Sequence, residues 1–162
     1  MIRDEELNRL IRYAQGMGLS VRFMPYVRGS DVSAEWHNDG SQITIYTTSR
    51  CSKLEKILSL IHELGHHKAF VNNDREVDPK IDEALDSEEK RHRKRVWNME
   101  IHDSKYWEEI YRDTNCQFGL DRLEMQRELD IWRYEFLYEN DREASIKERR
   151  AKKKELKKKY RC

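Results

Sequence analysis

His62-Glu63-Leu64-Gly65-His66 is the one run in this chain whose residue types and spacing carry chemistry of their own. On a helix, residues i and i+4 lie one turn apart on the same face, so both imidazoles can reach a single metal ion. Glu63 sits about 100° around the helix from His62, beside the ion as a base instead of a ligand. Two neutral imidazoles and one carboxylate suit zinc, Zn2+, and leave a fourth position for water. The ion acidifies that water, Glu63 takes its proton, and the proton later passes to the leaving amine. With 6 His in 162 residues, chance supplies roughly 0.025 such matches. His67 points about 100° away from His66 and is expected to have no ligand role.

Two histidines do not complete a site, so a later carboxylate must supply the third ligand. Glu128 is the first choice, on the run Glu124-Met125-Gln126-Arg127-Glu128-Leu129-Asp130-Ile131-Trp132. Glu124, one turn earlier, and Glu100 or Asp103 before it are its rivals. The metzincin continuation fails, because Ala69 and Asn72 stand where a Gly and a third His would be. Other constellations are weaker. His37 reads as a surface or packing residue, and His102-Asp103 near Tyr106 as a candidate donor to an oxyanion. Cys51 and Cys116 lack a basic partner, no serine has a G-x-S-x-G setting, and the 6 glycines form no phosphate loop.

The elements that must position the motif are legible around it. Ser52-Lys53-Leu54-Glu55 fits a capping box, and Leu54, Ile57, Leu58, Ile61 and Leu64 follow on one face, so a helix is expected to about residue 71. Before it, residues 4–15 read as a helix, 20–24 as a strand and 33–37 as a second strand. Asn38-Asp39-Gly40 marks a hairpin into Gln42–Thr47, the strongest strand. The expected arrangement is a small antiparallel sheet on the motif helix, with a substrate strand added beside residues 42–47. From residue 80 the pattern is helical, broken near Asp86-Ser87 and Thr114–Gly119. The last helix is expected to run on into the basic end.

Length and composition bound the rest. A chain of 162 residues suits one domain, and its charged content of 39% surrounds a core supplied by 4 Trp, 8 Tyr and 4 Phe. Three cysteines without C-x-x-C spacing suit a reducing cytoplasm. No signal peptide and no membrane-spanning run is expected. Net charge is +1, but residues 142–161 hold 11 Lys/Arg against 3 Glu, leaving −7 in the rest. Such a run suits a solvated helix end and is also of the kind that holds phosphate backbones, so nucleic acid is a candidate partner.

Gln42–Tyr46, Ile57–Ile61 and His62-Glu63-Leu64-Gly65-His66-His67 together resemble the ImmA/IrrE-type zinc metallopeptidases, gluzincin-like enzymes common in mobile elements and bacteriophages. The family's later helix carries a pattern like E-x-E-A-N-x-F-A whose first Glu binds the metal. Glu128, Asp130, Ile131 and Tyr134 match it, while Trp132 and Glu135 depart from it. The resemblance implies an α+β, zincin-like domain, expected over residues 1–141; residues 72–120 are a helical insertion without counterpart in the family, and residues 142–162 read from their charge as a basic helical or disordered tail. It implies a zinc endopeptidase with His62, His66 and Glu128 as ligands and Glu63 as base. The substrate would be a cytoplasmic protein, in relatives a transcriptional repressor, and the setting the host cytoplasm if phage encoded. A zincin-like module acting by protein or nucleic-acid contact, without proteolysis, is the competing expectation.

Overall fold

The computed structural model describes residues 4–26, 34–37, 40–49, 51–72 and 90–161. The expected break at Asp86-Ser87 and the Asn38-Asp39 pair lie outside these residues. The fold is mixed α+β, mostly helical, with one three-stranded sheet. The chain divides into two compact units: residues 1–74 with 105–118, and residues 75–104 with 119–162.

In the first unit, helix α1 (Asp4–Gly16) leads to strands β1 (Ser20–Pro25), β2 (Ala34–Trp36) and β3 (Gln42–Thr47), then to helix α2 (Lys53–Val71). After the second unit's first segment, a 3-10 turn (Ser104–Tyr106) and helix α4 (Trp107–Asp113) follow. The sheet order is β1-β3-β2, with β1 parallel to β3 and β2 antiparallel to it. The expected all-antiparallel sheet is therefore corrected. The reason lies in burial: Ile43, Thr44 and Ile45 are all buried, at 0%, 4% and 1% exposure. A strand covered on both faces belongs in the centre, whereas β1 is exposed along most of its length and suits an edge. Placing β3 between its two predecessors makes β1 and β3 run the same way. It also closes both sides of β3, so an added substrate strand cannot pair with residues 42–47.

Helix α2 starts as its sequence dictates. Ser52 Oγ accepts from the Glu55 backbone N–H at 3.2 Å, and the Ser52 N–H donates to the Glu55 carboxylate at 2.7 Å. Ile57, Leu60, Ile61 and Leu64 form its fully buried stripe at 0% exposure. Polar clamps join the helices around it. Lys68 Nζ donates to Tyr13 OH at 3.0 Å and to Glu109 at 2.7 Å, linking α1, α2 and α4. Burial works against the Lys68 ammonium, yet Glu109 and Tyr13 outweigh it and hold its pKa above the usual lysine value. Arg9 donates to the carbonyls of Thr114 and Asn115 at 2.9 and 2.8 Å, fixing the loop after α4.

The second unit consists of helices α3 (Lys90–Asp103), α5 (Leu120–Asn140) and α6 (Ile146–Lys159). Trp97 of α3 stacks on Tyr138 of α5, ring centroids 5.6 Å apart. Here the expectation of one continuous last helix is corrected. Asp141 takes a left-handed conformation at φ 57° and ends α5. A second capping box, Ser145 with Glu148, then starts α6. Leu156 of α6 is fully buried.

Candidate metal centre

Helix α2 places His62 and His66 on one face, their Nε2 atoms 3.0 Å apart and their rings 4.8 Å apart at 71°. Two Zn–N bonds of about 2.05 Å at a tetrahedral angle separate their nitrogens by about 3.3 Å. The pair is thus already close to the bite a single zinc ion requires. Trp107 of α4 fixes the outer histidine, its ring 5.1 Å from that of His62. Glu63 is buried at 6% exposure and His66 at 8%. Water is largely excluded around both, which strengthens any electrostatic interaction made there.

His67 joins the sheet to helix α2. Its Nδ1 accepts from the indole N–H of Trp36 on β2 at 3.3 Å, so the ring's own proton belongs on Nε2. Burial lowers its pKa, against an opposing contribution from the Met17 backbone. His67 is therefore a neutral pin between sheet and helix, backed by Trp36 against Phe70 at 5.3 Å. His37 is likewise spent within the sheet, with Nε2 3.1 Å from Thr44 Oγ1 and 3.2 Å from Gln42 Nε2. Neither the Trp36–His67 bond nor the Trp107 contact carried a local signal in the sequence, since both join residues more than 30 positions apart.

The carboxylates considered for the third ligand all belong to the second unit. Glu128 accepts from Tyr160 OH at 2.8 Å and from Lys159 Nζ at 2.5 Å. Burial opposes ionisation of Glu128, but Lys159 and Tyr160 prevail and keep its pKa below the ordinary carboxylate value. Glu124 pairs with Arg127 at 2.7 Å. Asp103 accepts from or pairs with His102 Nδ1 at 3.0 Å, and that ring nitrogen is thereby occupied. Glu100, on α3, is buried at 4% exposure.

A pH dependence follows from Glu128. A carboxylate with a lowered folded-state pKa stabilises the fold above its unfolded pKa, near 4.5, and loses that contribution as pH falls through the lowered value. The melting-temperature gap between wild type and Glu128→Gln is therefore expected to be full at pH 6 to 7 and to close below about pH 4. A gap that persists unchanged at low pH would show that the Lys159 and Tyr160 contacts do not depend on the charge.

Among the described residues, no helix is long and apolar enough to cross a membrane. No family model, no curated protein and no solved structure matches this chain.

Proposed function

We propose that this chain is a zinc-dependent peptidase of zincin-like fold, with His62, His66 and a buried carboxylate holding the ion and Glu63 acting as general base and acid. The observation that carries the reading is the 3.0 Å approach of the two imidazole Nε2 atoms on one helix face. Glu63 follows the first of them directly. Glu128 is engaged by Lys159 and Tyr160, and the carboxylate we choose is Glu100 of α3, the more buried of the two.

When bound, the ion supplies Lewis acidity to a water molecule and to a substrate carbonyl. Glu63 removes the proton that water must lose and returns it to the leaving amine. An extended substrate would pair with β2, an outer strand of the sheet that Trp36 fastens to α2. The likeness of the motif and its flanks to ImmA/IrrE-type peptidases supports a protein substrate such as a transcriptional regulator. The unpaired cysteine spacing supports a cytoplasmic setting.

Metal content of proteins purified without added metal tests the site. About one zinc per wild-type chain is expected, lost in His66→Ala and Glu100→Ala and kept in Glu128→Ala. Loss in Glu128→Ala with retention in Glu100→Ala would return the ligand to Glu128. A folded wild type that takes up no zinc even when supplied would overturn the peptidase reading and favour the module acting by contact alone.

A further inference from the structure

Helix α6 carries 9 Lys/Arg and 2 Glu over Ile146–Lys159. Their distribution around the helix is not uniform. Leu156 is fully buried and marks the docked face. At about 100° per residue, Lys147, Arg150, Lys154, Lys157 and Lys158 all lie 100° or more around the helix from it. All five are exposed, and none makes a side-chain hydrogen bond or ion pair among the described residues.

Apart from Lys153, exposed at about 60° around the helix from Leu156, the remaining charges of the helix are accounted for. Arg149 pairs with Glu143, Lys152 with Glu155 and Lys159 with Glu128. Glu148 is taken by Arg142 and by the Ser145 cap, which hold its carboxyl far below the usual range. Both acids of the helix are thus engaged, and both Glu148 and Glu155 lie on the flank opposite Lys157, outside the arc that the five residues span. Like charges at i,i+3 and i,i+4 repel and weaken a helix. This helix accepts that repulsion on its outward face while its cap and Leu156 keep it folded.

We propose that the outward face of α6 binds the phosphate backbone of double-stranded DNA without sequence preference. The stripe runs about 16 Å from Lys147 to Lys158 at 1.5 Å per residue. A helix is about 10–12 Å across with its side chains, which matches the roughly 12 Å major groove of B-DNA. The deep, narrow major groove of duplex RNA does not admit it. No aromatic residue lies in the stripe to stack unpaired bases, which argues against single strands. The small Ala151 is the one apolar residue on that face and Ile146 stands alone at its margin, too little to enter a bilayer, which argues against insertion into a membrane surface. The inference stands on α6 alone and does not depend on the metal centre.

Fluorescence anisotropy of the full chain with a labelled DNA duplex, across about 50 to 200 mM salt, tests it. Five phosphate contacts give a slope of log K against log salt of about −4.5, a fall of roughly 500-fold over that range. Replacing Lys147, Arg150, Lys154, Lys157 and Lys158 by Gln should abolish binding, while Gln at Arg12, Arg22, Lys53 and Lys56 should leave it unchanged. Changing the four stripe lysines to Arg should preserve binding, and circular dichroism of each variant checks that α6 remains helical. The proposal is overturned if the five-Gln variant binds DNA as wild type does. It is equally overturned if duplex RNA, single-stranded DNA or phosphatidylserine vesicles bind the chain more tightly than duplex DNA.

Discussion

Glu63→Gln is expected to keep its zinc and to lose peptide hydrolysis by a factor of about 10² to 10⁴. The amide matches the carboxylate in size and can still hydrogen-bond, so the buried position at 6% exposure need not collapse. What it cannot do is accept a proton. A loss of that size corresponds to about 3 to 5 kcal/mol of transition-state stabilisation. Wild type and variant, each with measured zinc, would be compared on a quenched fluorescent peptide library. An unchanged rate would remove Glu63 from the proton transfers. Loss of zinc in the variant would make the residue a ligand or a structural support instead.

Leu64→Ala is expected to destabilise the first unit by about 2 to 5 kcal/mol. Leu64 is fully buried on the stripe that seats α2, and truncation leaves a cavity that the surrounding side chains refill only in part. Against a typical total of about 5 to 15 kcal/mol, that is a large fraction. Urea unfolding followed by tryptophan fluorescence reads it, because Trp36 and Trp107 both belong to this unit. Leu64→Met, nearly equal in volume, should cost less than about 1.5 kcal/mol. Zinc at about 100 times its dissociation constant should return roughly 2.7 kcal/mol to Leu64→Ala and nothing to the double variant that also carries His66→Ala. A cost below 1 kcal/mol would mean that the helix is seated by other contacts.

The parts of this fold that the sequence discloses are those set by neighbours along the chain. Helix α2 is legible because its cap, its apolar stripe and its histidines all fall within 20 positions. Strand β3 is legible from Ile43, Thr44 and Ile45, but its central place is not. That depends on which strand is covered on both faces, a property of the assembled unit. The bonding partners of Glu128 show the same limit. Its local pattern suits a ligand, yet Lys159 and Tyr160, 31 and 32 residues later, engage its carboxylate. The start of α6 was within reach: Ser145-x-x-Glu148 has the spacing of a capping box, obscured by the density of charge around it.

The interleaving of the two units has a consequence for synthesis on the ribosome. The polypeptide leaves the first unit after residue 74, returns to it for residues 105–118, and leaves it again. The motif helix therefore emerges from the exit tunnel well before Trp107, the ring that fixes His62. Translation must pass residue 118 before the first unit is whole, while the second unit's opening segment waits for α5 and α6. The first unit is thus completed only after a segment of the second has already been made, unlike tandem domains, whose segments follow one another without interruption.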